Sequence, residues 1–481
     1  MAHGTTSYLS RAARHPVGWQ PWGRDAFELA ARLDRPVLLF VGADACEWCA
    51  LMDTAVYDDP ALAALINSRF VPVRVDRDER PDVAQRYQAA VQTLSGLRGY
   101  PLTVFLTADG SPFFAGTYFP ANDPITGRGL FQVLPEVARS YRDQRTAVVR
   151  HAALIRQLST TKSAGSHGVL RPAEVAAEIE RVREAVAAAS TGAVGAGSLG
   201  VPLTRAVGLL LTEYGAEADT VTLVAARAGL SRLLDTVSHA ARGARDDPPA
   251  LVRAGTLRAA AQGWVVTHEA QYRDAARALI DKLSPALDLG WGEPVFADQQ
   301  AFIVAAVIET AATVGDTAAE RRALAALDSL LRRVYAPGWG VRHAVVGSVQ
   351  GLLQDQVQVA AACLAAFVAS RESRYRDVAV DIVAVLERDY ADPIGGYFDA
   401  SRPDPAAPAL ADRTKHVWDE ALPGANAWAA RLLLGLAVAT GEPRFRRRGE
   451  AALEAFAGAI WGAGLRAASY LEVARVALAR P

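Results

Sequence analysis

The stretch RPVLLFVGADACEWCALM, residues 35–52, sets a short apolar run directly ahead of two cysteines spaced two residues apart. An apolar run bounded by Pro36 and Gly42 suits a strand buried on both faces. Helical character resumes at Cys49 and runs to Asn67, with a break around Asp58-Asp59-Pro60. Cys46 therefore falls where a buried strand hands over to the N-terminal end of a helix. Free backbone N–H groups and the helix dipole favour an anionic sulfur there. A second thiol one helical step on is placed to resolve a mixed disulfide. Two other readings stay open at this point: a pair of packed structural thiols, or half of a zinc site. Tetrahedral zinc needs four ligands. The chain has three cysteines in all, and the third, Cys363, sits far away on the apolar helical face of LLQDQVQVAAACLAAF. No metal is expected. Glu47 adds negative charge beside Cys46 and opposes thiolate formation, so the pair reads as poised toward reduction, with Trp48 as an apolar cover.

Around this stretch, strands and helices alternate. WGRDAFELAARL (22–33) has helical apolar spacing, FVPVRV (70–75) is a second strand, and 81–94 is a further helix. LTVFL (102–106) opens a hairpin that turns at ADG and returns as PFFAGTYF, and another helix follows from about Leu130. The order predicts an α/β sandwich with a mixed sheet over residues 1–156. Residues 157–172, QLSTTKSAGSHGVLRP, are small and polar and read as a linker. From 173 to 481 the pattern is almost wholly helical, with about twelve helices. Gly-and-aromatic turns recur at LGWGEP (Trp291), PGWGV (Trp339), IGGYF (Tyr397) and IWGAG (Trp461), roughly every 50–65 residues. Two helices and a turn per period is the pattern of stacked helical hairpins, and about six of these close into an (α/α) toroid.

At 481 residues the chain is too long for one ordinary core. With 51% hydrophobic and 21% charged residues it is globular in composition, and a formal charge of −1 implies no basic face for nucleic acid. The segment MAHGTTSYLSRAARHPVGWQPWG has no apolar leader core, and charges interrupt every apolar run before a membrane span is reached. A cytoplasmic location is expected, with neither membrane nor nucleic acid as partner. There a Cys-x-x-Cys pair suggests chemistry rather than a structural bridge.

Four strings carry a family resemblance: SYLSRAARHPVGWQPWGRDAF (7–27), CEWCALM (46–52), VDRDERPDV (75–83) and GYPLTVFLTADGSPFFAGTYFP (99–120). They resemble the spermatogenesis-associated thioredoxin-like proteins and their bacterial relatives, and the resemblance implies a shortened member of that group. Relatives typically carry His where Glu47 stands. The resemblance implies a thioredoxin-like fold and a redox role for Cys46 and Cys49, with Pro101 as a cis-proline facing the pair. Glu47, Trp48 and Tyr100 would border the groove for a protein or small-molecule disulfide, and the redox-active disulfide would be the only cofactor. GLLQDQVQVAAACLAAF (351–367), IGGYFDA (394–400) and DRTKHVWDEALPGANAWAARLLLGLAVATGE (412–442) resemble the same family's six-hairpin, glycosidase-like helical domain.

Other residues bear chemistry-capable groups. Asp76, Arg77, Asp78, Glu79, Arg80 and Asp82 read as a solvated, ion-paired loop or a docking surface. Trp19, Trp22, Tyr118 and Phe119 read as core packing or groove lining. Glycoside hydrolysis needs two carboxylates about 5–10 Å apart. Asp298, Asp355 and Asp419-Glu420, each near a hairpin start, are the candidates, and helix capping explains the same positions. His268, His343 and His416 are candidate acid–base groups. The leading expectation is a thiol–disulfide oxidoreductase whose helical domain offers a partner or ligand surface. The alternatives are a carbohydrate-active enzyme of glycosidase or epimerase type in the toroid, taking a carbohydrate there, and a non-catalytic binding protein.

Overall fold

Val37–Gly42 forms β2, buried along its whole length, because an uninterrupted apolar run can be covered on both faces. The structure is a computed structural model that describes residues 4–123, 125, 128–163, 166–191, 200–238, 249–288, 295–345 and 349–479. Around β2 lie β1 (Gln20–Pro21), β3 (Val71–Asp76), β4 (Leu102–Leu106) and β5 (Pro112–Gly116), in the order β1-β3-β2-β4-β5. β3 runs parallel to β1 and β2, whereas β4 is antiparallel to β2 and to β5. The parallel step from β2 to β3 needs a helical crossover. It is supplied by α3 (Glu47–Met52), a π turn over Asp53–Tyr57, and α4 (Pro60–Arg69), which starts on an Asp59 cap. The π turn carries the irregularity that the sequence places slightly later, at 58–60. Helices α1 (Ser7–Ala12), α2 (Arg24–Leu33), α5 (Pro81–Ser95), α6 (Leu130–Asp143) and α7 (Arg145–Ser163) cover the sheet's two faces. This is a thioredoxin-like α/β unit.

Two sequence expectations need correction here. The stretch from 157 that reads as linker is helical through Ser163, since α7 does not end at the first polar residues. The first compact unit also includes residues 402–414, from deep within the half read as helical domain. Ala406, Ala407 and Leu410 join the hydrophobic cluster of Leu39, Val73 and Val104. Asp404 accepts from Trp22 Nε1 at 2.9 Å and pairs with Arg80 at 2.5 Å. The small and polar sequence SRPDPAAPALADR (401–413) shows turns but no apolar period, so its burial depends on tertiary partners.

The second unit is all-α. Its helices are α8 (Pro172–Ser190), α9 (Gly200–Glu217), α10 (Thr220–Ser238), α11 (Ala250–Thr267), α12 (Ala270–Leu287), α13 (Ala297–Val314), α14 (Thr317–Val334), α15 (Leu353–Ser370), α16 (Ser373–Asp389), α17 (Ala425–Thr440), α18 (Pro443–Glu454) and α19 (Ala468–Leu478). Helices α9, α11, α13, α15, α17 and α19 pack each on the next, and α19 packs back on α9. The inner ring is thus closed. Each even-numbered helix from α10 to α18 packs outside the inner helix before it, and α8 supplies the outer partner of α19. The recurring turns do what their composition implies: Gly338, Gly340, Gly395, Gly396, Gly462 and Gly464 all take positive φ. The LGWGEP turn at Trp291 lies outside the described residues. Among the described residues no helix is long and apolar enough to cross a membrane.

Candidate functional site

Cys46 is the N-cap of α3, and its sulfur accepts the Cys49 backbone N–H at 3.2 Å. The two sulfurs are joined in a disulfide, with Cα atoms 5.2 Å apart. Their environments differ. Both residues are buried, but Cys46 keeps 8% of its surface and Cys49 none. Glu47 is exposed. Trp48 is 54% exposed, and its indole meets the Tyr118 ring edge-on at 5.1 Å. The Tyr100–Pro101 peptide is cis. Pro101 is buried and Tyr100 half-buried, with the Arg77 guanidinium 4.8 Å over the Tyr100 ring. Leu102, which follows Pro101, pairs with Val41 in the sheet, next to the glycine against which Cys49 lies. A Cβ built on that glycine, Gly42, would stand 2.8 Å from the Cys49 sulfur and 2.3 Å from the Tyr8 hydroxyl.

Behind the disulfide lies a polar cluster of which the sequence reading singles out only Asp76. Arg74 is buried on β3 and forks onto Asp53 at 2.7 and 2.8 Å. Its guanidinium stacks over Tyr8 at 4.0 Å. Removing either partner would leave a buried charge unpaired, so the pair pins the α3–π junction to the sheet. The signal available was the lone arginine inside the apolar strand FVPVRV, which demands a hidden carboxylate. Asp76, at the end of β3 and paired in register with Gly42, is pushed up to about 6, first by burial and then by the Asp78 charge. Around it, Arg77 pairs with Asp78 and Arg80 with Asp82, so the loop is ion-paired as expected, but it is half-buried rather than solvated. Trp19 and Trp22 pack in the core, on Tyr57 and on Phe27.

In the helical unit, Asp298 and Asp355 come together with His343, all three buried, with ligand atoms within 4.8 Å of one another. His343 Nδ1 lies 2.9 Å from Asp355 Oδ1, and the His343 ring stacks on Phe296. Among the described residues this is the one group with ligand types and spacing suited to a metal ion. Asp419 stands elsewhere. Its carboxylate accepts from the amides of Gly424 and Ser469, both at 2.9 Å, and burial pushes it up to about 6. His268 is the left-handed C-cap of α11, packed on Trp264. His416 bonds Asp399. Burial pulls its imidazole down, but the Asp399 charge and hydrogen bond outweigh this and hold it above the ordinary value. Cys363 is fully buried, and burial pushes its thiol up.

Residues 1–159 match the profile of the family described as Thioredox_DsbH, protein of unknown function, DUF255. The human spermatogenesis-associated protein 20 is 36% identical over 152 residues, 32% of this chain and 19% of that protein. An uncharacterized protein of Caenorhabditis elegans is 37% identical over 168 residues, 35% of this chain and 23% of its own length. The match thus spans less than a quarter of either relative. Among solved structures, the unsaturated glucuronyl hydrolase of Bacillus sp. GL1 is similar with a TM-score of 0.47 and 13% identity, over 59% of this chain and 84% of that one. Over its first 159 residues, with the disulfide, the sheet order and the matching profile in agreement, the chain is similar to the thioredoxin-like DsbH family.

Proposed function

We propose that the protein is a thiol–disulfide oxidoreductase acting through Cys46 and Cys49 in a reducing, cytoplasmic setting. The observation that carries this reading is the asymmetry of the pair: Cys46 keeps a little surface and accepts an amide N–H on its sulfur, while Cys49 is fully sealed. In the reducing direction the Cys46 thiolate attacks a substrate sulfur, forming a mixed disulfide and expelling the substrate's other sulfur as a thiolate. Cys49, once deprotonated, attacks Cys46 Sγ, forms the Cys46–Cys49 bond and releases the second substrate thiolate. The Cys49 N–H stabilises the Cys46 thiolate that makes the first attack. The exposed Trp48 and its neighbour Tyr118 offer an apolar platform beside Cys46, and Tyr100 and Pro101 border the groove for a protein or small-molecule disulfide. Reduction of insulin disulfides, driven by dithiothreitol, tests this. The Cys46→Ser protein is expected to fall to the uncatalysed rate, a loss of at least about 100-fold, as befits removal of the nucleophile. Equal rates in wild type and variant would remove the proposal.

A further inference from the structure

Three arginines from three inner helices converge on one tryptophan at the centre of the ring. Trp428 stands on α17, and the guanidinium carbons of Arg431 (α17), Arg205 (α9) and Arg258 (α11) lie 4.4, 4.7 and 5.9 Å from its ring centroid. Neither α9 nor α11 neighbours α17 in the ring, so these contacts cross its axis. Two carboxylates serve the three cations. Glu309 on α13 accepts from Arg258 Nε at 2.7 Å and sits 3.9 Å from Arg431. Glu472 on α19 pairs with Arg205, which also donates to Ser469. The nearby Asp419 has both oxygens engaged by backbone amides. Arg205 thus has Glu472 and the charge of Asp419, whereas Arg258 and Arg431 share Glu309 alone, which leaves one positive charge unmatched beside it in a site where the Arg205 and Arg258 side chains are only 8% and 11% exposed.

The remaining donors point to what would balance that charge. Arg258 Nη1 is buried with no hydrogen-bond partner, although an unmet buried donor is costly. Burial, together with the charges of Arg431 and Arg205, pulls the Arg258 guanidinium below its ordinary value, against the opposing pull of Glu309. An anion between the guanidiniums would relieve both the repulsion and the orphaned donor, because planar N–H forks match carboxylate and phosphate oxygens. We infer that the centre of the helical ring is a binding site for a small oxyanion, a carboxylate or phosphate group held by Arg258 and Arg431 beside Trp428.

This inference is independent of the cysteine chemistry. Its test is the melting temperature of the full chain, disulfide intact, titrated with inorganic phosphate or with acetate against sodium chloride at equal ionic strength. A saturable rise with at least one of the two is expected for wild type, and the larger rise identifies the oxyanion. In Arg431→Gln, whose side chain is 38% exposed and whose contact with Glu309 is long, the fold is retained and the rise is lost. Arg258→Met is a second variant expected to lose it. A wild type insensitive to both anions would overturn the inference. So would a rise of equal size in folded Arg431→Gln and Arg258→Met, since the anion would then bind elsewhere.

Discussion

The two units gather their reactive groups in opposite ways. In the first, the two sulfurs lie three residues apart and are brought together by one strand-to-helix turn. In the second, Arg205 and Glu472 are 267 residues apart and meet only because a ring of helices closes. A local turn can place one reactive atom at the surface and its partner beneath. Ring closure instead concentrates charge on an enclosed axis, where each unmatched group is expensive. The first arrangement suits exchange with a partner at the less buried cysteine, and the second suits retention of a small ion.

Several substitutions would break or sharpen that contrast. The largest effect is expected from Asp53→Asn, which leaves Arg74 buried without its counter-charge. A loss of about 3–5 kcal/mol, confined to residues 1–164 in hydrogen exchange, would fit, and a neutral result would show that the pair does not pin the site. Leu410→Ala is expected to cost about 2–4 kcal/mol and to loosen that same unit, although Leu410 lies in the second half of the chain. If only the helical unit loosened, residues 402–414 would not belong to the first core.

Asp76 and Asp419 place one elevated carboxyl in each unit. A folded value near 6 against 3.8 unfolded means that the fold favours the protonated acid. Their stability contribution is complete below pH 4 and is lost as pH rises to about 6, up to about 3 kcal/mol for each group. Denaturation midpoints between pH 4 and 7 check this, with Asp76→Asn expected to flatten the slope for the first unit. Gly42→Ala would push a methyl group toward the Cys49 sulfur and the Tyr8 hydroxyl, costing about 1–3 kcal/mol and slowing disulfide reduction. Trp48→Ala should leave stability within about 0.5 kcal/mol, because the indole is half exposed. Its effect is expected in the KM for insulin rather than in folding.

What could be read from the sequence follows the same division. VLLFVG, CEWC and LTVFL are contiguous, so strand, turn and hairpin appear as local patterns. The glycine-and-aromatic turns announce helical hairpins for the same reason. The cluster of Tyr8, Asp53, Arg74 and Asp76 spans three separate elements; Asp76 stood out only as part of a charged loop, and Arg74 in an apolar strand was the hint that a carboxylate lay beneath. Asp298 and Asp355 stood out as carboxylates near hairpin starts, yet their meeting with His343, and the separate capping position of Asp419, depend on how successive hairpins stack. The Arg258–Arg431–Trp428 centre carries no local signal, because no period or motif shows which inner helices face one another across a ring. Residues 402–414 are hidden for a related reason: their few small apolar side chains gain burial only against another segment's surface.

The central claim is that Cys46, the less buried of the pair, performs the attack and the sealed Cys49 resolves it. Reduced Cys49→Ser protein mixed with a disulfide-bonded peptide, quenched with acid and read by intact-mass and peptide mass spectrometry, tests this directly. The account predicts one peptide held per chain on Cys46, none on Cys363, and no such adduct persisting in wild type. Adduct formation on Cys363, or on Cys49 in the Cys46→Ser protein at the same rate, would contradict it.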